Sequence, residues 1–243
     1  MRIGVISDIH ANLPALDAVL TALRGVGIDR IVCCGDVVGC GPWPAETVDR
    51  LQAECVLSVR GNHDDATLHL ARYRGEGHES ALRMLSWTYD QLTSDHRGYL
   101  AALPERFEDA LFTIAHGSLR APLVEFVLEP EEARDSFALL GSRIGFLGHS
   151  HIQSGFAQSL HRVSAVPAAS HTVSLDPHSR YLINPGSVGM PRDGDTTAAY
   201  AWLDLAAGCL TYARAPYDAT SVAAAIRNLG FNDVCPSSLL ASS

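Results

Sequence analysis

The stretch FLGHSHIQSG, residues 146–155, divides the chain into two kinds of sequence. Before it, short apolar runs alternate with amphipathic helical stretches. After it, strand-like runs follow one another with no helix until near the end. The stretch also sets His149 and His151 two positions apart, at the exit of an apolar run ending at Leu147. Side chains two apart in extended chain share a face, so both imidazoles point one way with only Ser150 between them. Taken alone, these residues allow two readings: a pair of metal ligands, or a chance pair in a polar turn.

Upstream, residues 2–7 form a β-branched run. Residues 13–25 carry Leu16, Val19, Leu20 and Leu23 at helical spacing, with Pro14 near the start. A strand over 31–34, a helix from about Pro44 and a strand over 56–59 complete a βαβαβ order, which implies a parallel sheet with crossover helices. Residues 66–105 read as a helical insertion capping the sheet, packed through Leu82, Leu85, Trp87, Tyr89, Leu92, Tyr99 and Leu100. Strands are expected at 111–115 and 144–147, either side of a helix around 131–140. From 153 onward, SGFAQSL, RVSAVPA, HTVSLD, RYLIN, AAYAWLDL and CLTYARA suggest an antiparallel second sheet. DATSVAAAIRNLGF reads as a closing helix stopped at Gly230, before a frayed tail, PSSLLASS. No repeat or linker interrupts this order, so one domain over 1–243 is expected.

Composition narrows the function. The 243 residues are 47% hydrophobic, enough for one substantial core. A formal net charge of −9 argues against broad binding to nucleic acid or anionic membrane, which need basic patches. It leaves room for an anionic substrate, because bound cations would invert the local field. The six cysteines (Cys33, Cys34, Cys40, Cys55, Cys209 and Cys235) form no CxxC pair and read as reduced thiols. No signal-like segment or membrane-length apolar run is seen, so a soluble, cytoplasmic protein is expected.

Open α/β sheets bind ligands beyond the carboxyl ends of their strands. Read there, the successive strands end in Asp8 and His10; in Asp36; in Asn62, His63 and Asp64; in His116; and in His149 and His151. So many carboxylates and imidazoles in one crevice require compensating charge. Two divalent cations would supply it, in an arrangement suited to in-line displacement at phosphorus. This decides the reading of His149 and His151 in favour of ligation. Imidazole, carboxylate and one amide, without thiolate, favour Mn, Fe, Co, Ni or Zn over Mg or Ca. No GxxxxGK loop or GxSxG elbow is present.

The ordered motifs Asp8-Ile9-His10, Gly35-Asp36-Val37-Val38-Gly39, Gly61-Asn62-His63-Asp64, His116 and Gly148-His149-Ser150-His151 resemble the calcineurin-like metallophosphoesterase superfamily. SDIHANLPAL and NPGSVGMPRDG resemble its small bacterial and archaeal phosphodiesterase branch. The resemblance implies an α/β fold of two mixed β-sheets sandwiched between helices, four layers deep. It implies one metal held by Asp8, His10, Asp36 and His151, and a second held by Asp36, Asn62, His116 and His149, with Asp36 bridging. Hydroxide between the ions would attack phosphorus, and His63 would serve as general acid. The serine/threonine phosphatase branch carries an Asp three positions after the bridging Asp to orient that His; here the position is Gly39.

Asn12 and Arg60 are candidate substrate contacts, although Asn12 equally suits a helix cap and Arg60 a solvated surface. Arg192 reads likewise. His69, His78, His96, His161, His171 and His178 read as surface or structural residues, and NPGSVG, 184–189, as a turn. The expected activity is hydrolysis of small phosphodiesters. The alternatives are a phosphomonoesterase or protein phosphatase, a dinucleoside polyphosphate hydrolase, or a catalytically silent metal-binding scaffold.

Overall fold

In the computed structural model, which describes residues 1–73, 79–160, 162–168 and 171–231, Arg2–Ile6 form strand β1 near the middle of a sheet. Alternation along β1 sends Ile3 and Val5 to one face and Ile6 to the other. Both faces are covered, which is why the strand reads as an unbroken apolar run. Helix α1 (Leu13–Val26) follows and buries Leu16, Val19, Leu20 and Leu23, the residues its spacing singled out. It stops at Gly27, whose left-handed backbone at φ 73° closes the last turn. Strands β2 (Arg30–Cys33) and β3 (Leu57–Ser58), separated by α2 (Pro44–Ala53), extend the sheet in parallel from β1.

The helical region begins earlier than its periodicity indicates. Helix α3 (Asn62–Leu68) starts within the Gly-Asn-His-Asp motif, followed by α4 (Glu79–Gln91) and α5 (Ser94–Ala102). Next come β4 (Arg106–Glu108) and β5 (Thr113–Ala115), an antiparallel pair whose first strand has no periodic signature. Helix α6 (Pro130–Leu139) then leads to β6 (Ile144–Phe146).

The last strands are β7 (Gln153–Ser159), β8 (Arg162–Ala165), β9 (Thr172–Ser174), β10 (Arg180–Pro185), β11 (Ala198–Asp204) and β12 (Cys209–Ala215), before helix α7 (Ala219–Asn228). They do not form a separate antiparallel sheet, as their sequence pattern suggests. They are shared between two sheets, ordered β3-β2-β1-β11-β12-β9 and β4-β5-β6-β10-β7-β8. Pairing of β11 with β1 and of β10 with both β6 and β7 makes both sheets mixed.

The sheets face each other across a core containing Ile3, Val5, Phe112, Phe146, Ile183 and Tyr212. A second core lies under α1 and α2, and a third under α6 around Phe137 and Leu182. The layers therefore run helix, sheet, sheet, helix, as the resemblance implies. Met84 of α4 packs with Val222 and Ile226 of α7. Among the described residues no helix is long and apolar enough to cross a membrane. His78, His161, Cys235 and the PSSLLASS tail lie outside the described residues.

Candidate metal centre

The loops at the strand ends are laced together by their backbones. The N–H groups of Asp8, His10 and Ala11 donate to the carbonyls of Gly35, Asp36 and Val37 at 3.0, 2.9 and 2.9 Å. Val188 and Gly189 donate to the carbonyls of Ser7 and Asp8, and the Ser187 hydroxyl also donates to the Asp8 carbonyl. Asp8, His10, Asp36, His149 and His151 all hold positive φ, between 49° and 69°. For residues with a side chain this left-handed geometry costs on the order of 1–3 kcal/mol each and persists only where neighbours enforce it. The lacing enforces it here and turns five side chains into one crevice.

The glycines of the motifs make room for this convergence. A Cβ on Gly61 would overlap Oδ1 of Asp36, and one on Gly148 would overlap the Ser7 hydroxyl. Asp36 and Gly61 lie on different loops, so their close approach is what brings α3 to the centre.

Asp8, His10, Asp36 and His151 place a ligand atom each within 4.8 Å of one another, and all four are buried. Nε2 of His151 lies 3.2 Å from Asp8 Oδ1 and 3.1 Å from Nε2 of His10. Nδ1 of His151 donates to the Met190 carbonyl at 2.6 Å, so its Nε2 carries a lone pair when the ring is neutral. His116 repeats the pattern: Nδ1 donates to the Cys34 carbonyl at 2.8 Å, while Nε2 faces Asn62 Oδ1 at 2.8 Å and Asp36 Oδ2 at 3.4 Å. His149 stacks under Phe126, with ring centroids 3.8 Å apart, and its ring hydrogen-bonds the Val124 carbonyl.

Within the donor set, Asp8 Oδ1, His10 Nδ1 and His149 Nε2 are buried with no hydrogen-bond partner. Carboxylate, amide and imidazole groups crowded this closely, some with no partner, are costly to bury without a compensating cation. The donor set therefore fits divalent metal, and hard oxygen with imidazole nitrogen is its chemistry.

The titration behaviour has the same origin. Burial opposes ionisation of Asp8, but the His151 ring 3.2 Å from its Oδ1, when charged, more than offsets it and holds the carboxyl far below its usual range. Burial likewise opposes the cationic form of His116, yet the Asp36 charge and hydrogen bond prevail and lift it to about 9. Burial and the nearby His116 push His149 down to about 4. Burial also lowers His10 and His63.

His63 is half-buried beside the cluster, its ring edge-on to His10 with centroids 4.7 Å apart. Its backbone N–H donates to Asp36 Oδ1 at 2.8 Å. Among the described residues no carboxylate is hydrogen-bonded to its ring. A Cβ on Gly39 would come within 2.8 Å of His63 Nδ1, and the Cys40 thiol lies 3.9 Å from that nitrogen. Burial and the Asp36 charge push the Cys40 thiol up to about 12, with Arg192 opposing them. Asp64 accepts the N–H groups of Val38 and Gly61, both at 3.0 Å, and so braces two loops. Burial and Asp36 raise it to about 7.

The two candidate substrate contacts are used elsewhere. Asn12 caps α1 through Ala15 N, and its amide donates to the Gly189 carbonyl and the Tyr217 hydroxyl. Arg60 reaches away to Glu105 at 3.1 Å and Asp65 at 3.5 Å. Arg192, by contrast, is exposed and near enough for its charge to act on Cys40. His69 and His96 pair with Asp65 and Asp49, as structural residues do. The 184–189 turn contributes more than its composition suggests: the Asn184 amide donates to the Gly148 carbonyl and the Ser150 hydroxyl, holding the histidine loop. The sequence signal for it was the Asn-Pro-Gly run itself, which also marks ordinary turns. Phe126 gave none.

Comparison with known proteins agrees with this geometry. Residues 1–208 match the model of the calcineurin-like phosphoesterase superfamily domain. The uncharacterized protein MJ0912 of Methanocaldococcus jannaschii is 36% identical over 220 residues, covering 89% of this chain and 88% of that protein. A metallophosphoesterase structure from Sphaerobacter thermophilus superposes with a TM-score of 0.80 at 35% identity, covering 98% of this chain and 97% of that one. Phosphodiesterase YfcE of Escherichia coli K12 is 38% identical over 74 residues, 26% of this chain and 40% of that protein. The chain belongs to the calcineurin-like phosphoesterase superfamily and is by family a metal-dependent phosphoric ester hydrolase.

Proposed function

We propose that this phosphoesterase hydrolyses small phosphodiesters at a centre of two divalent cations. The observation that carries the reading is the convergence of buried acceptors from five strand ends on Asp36, with His63 beside them and outside the fully buried Asp8, His10, Asp36 and His151 group, though it clusters with His10 and Cys40. Asp8, His10, Asp36 and His151 would hold one cation; Asp36, Asn62, His116 and His149 would hold the other. Mn, Fe, Co, Ni and Zn suit these donors. Such ions, when bound, supply Lewis acidity and lower the pKa of water toward neutrality.

The chain's own residues do the rest. Asp36 ties the cluster to α3, so His63 is held at a fixed place relative to the centre. His63 donates the proton that a departing alkoxide oxygen requires. The left-handed loops keep the ligand set in place before substrate arrives, which limits reorganisation during reaction.

Diester preference rests on charge. A monoester carries about two negative charges and rewards an arginine clamp. Here Arg60 is tied to Asp65 and Glu105, and Arg120 to Glu125 and Asp135; among the described residues Arg192 is an exposed cation near enough to act on Cys40. The local match to a protein named as a phosphodiesterase points the same way. The test is kcat/KM for bis-p-nitrophenyl phosphate against p-nitrophenyl phosphate at one pH and one metal. The diester should be preferred; a tenfold preference for the monoester, about 1.4 kcal/mol of transition-state discrimination, would reverse the assignment.

A further inference from the structure

Beside the centre, between α3 and α4, lies a cavity of about 220 Å³. Asn62 and His63 form one rim, so it opens directly from the residues that face the substrate. Ala66 and Leu85, both buried, form its inner wall, and Leu82 and Ala81 of α4 form the opposite wall. Tyr73 contributes the remaining side, its hydroxyl committed to Asp65 at 3.0 Å. Among the described residues, none of those lining the cavity is a Lys, Arg, Asp or Glu.

We infer that this cavity is a subsite for a flat, uncharged ring carried by the substrate on the His63 side, such as a nucleobase or an aryl group. The inference deepens the proposed diesterase activity and rests on it for the ring's place in the reaction. Three observations support it. The cavity shares His63 with the centre, so a group leaving toward the proposed acid is aimed at it. Its walls are apolar, and burying a ring there removes apolar surface from water at roughly 25 cal/mol per Å². Its volume falls below the roughly 300–1,000 Å³ of a drug-sized pocket, which suits one ring system and not a second phosphate with its charge. No cation among the described lining residues would meet a polyphosphate chain, so the arrangement favours a single phosphodiester joined to a ring-bearing alcohol.

The probe is adenosine, which cannot be hydrolysed, added to the zinc-loaded full-length protein and read by saturation-transfer NMR. Saturating the methyl region should transfer to the adenine protons, and excess inorganic phosphate should not displace the nucleoside. Ala81→Trp, which plugs the cavity, and Leu82→Asp, which charges it, should each abolish the transfer with metal content and circular dichroism unchanged. Both variants should lose at least tenfold in kcat/KM for bis-p-nitrophenyl phosphate while the inhibition constant for phosphate stays within twofold. Absence of transfer in the parent protein, or its survival in both correctly folded variants, would overturn the subsite. Adenosine binding without any phosphoester hydrolysis would instead support the subsite and overturn the diesterase assignment, so the two failures are distinct.

Discussion

The backbone N–H of His63 donates to Oδ1 of Asp36 at 2.8 Å, joining the start of α3 to the middle of the donor cluster. The other carboxylate oxygen lies 3.6 Å from His10 Nε2 and 3.4 Å from His116 Nε2. One side chain therefore serves both halves of the cluster and fixes the residue proposed as acid. Asp36→Ala should bind fewer than one cation per chain by elemental analysis, against two for the parent. Two cations retained by the variant would show that Asp36 is not shared.

His63 contributes no atom to the ligand set assigned above. His63→Ala should keep its full metal content and lose about 10²–10⁴-fold in kcat, the usual range for a positioned acid. The loss should be greater for alkyl than for nitrophenyl leaving groups, because a nitrophenolate departs without help. Loss of metal in this variant would place His63 among the ligands.

The two arginines should separate cleanly. Arg192→Ala should raise KM for a diester about tenfold, since it removes the rim charge and touches no ligand side chain. Arg60→Ala should leave KM unchanged and lower thermal stability, through loss of the Asp65 and Glu105 pairs on α3 and beyond α5. Steady-state kinetics and a melting curve distinguish them.

The pH dependence of the metal-free protein follows from His116. Its folded-state pKa of about 9 exceeds the ordinary 6.5, burial notwithstanding, because Asp36 stabilises the imidazolium. The folded state thus holds a proton that the unfolded chain releases, and the resulting stability is fully present below about pH 6.5 and lost as pH rises through about 9. The melting temperature of metal-free protein should fall across that window. Metal-loaded protein should not show this fall, because the cation takes the place of the Nε2 proton, and metal affinity should rise over the same range. Parallel profiles with and without metal would argue against ligation by His116.

The candidate centre was legible because its chemistry sits at strand ends. Asp8, Asp36, His116 and His149 each follow a short apolar run, and that adjacency survives in the linear chain. The distribution of the last strands was not legible. Ala198–Asp204 and Arg180–Pro185 have the same local pattern, yet one pairs with β1 and the other with β6 and β7. Strand partners far apart in sequence are chosen by packing, which periodicity does not record. Arg106–Glu108 escaped notice because three residues are too few for alternation to show. Asn12 and Arg60 were ambiguous for a related reason: residue type suggests what a side chain can bind, whereas Ala15 and Glu105 decide what it does bind. Cys40 and Phe126 became visible as neighbours of His63 and His149 only once the loops were folded together.

The antiparallel pairing of β1 with β11 also governs how the protein is made. The Ser187 hydroxyl that holds the Asp8 carbonyl lies 179 residues further along the chain, followed directly by Val188 and Gly189, which hold the same backbone. A chain synthesised in order therefore carries Asp8 without these partners, and β1 without β11 on one edge, until that later segment has been made. Contacts this distant in sequence form slowly and leave intermediates open to aggregation. The cradle around Asp8 is accordingly complete only once residue 189 has been added, and a chain that stalls before it has strands and helices to fold but lacks the groups that close the loop.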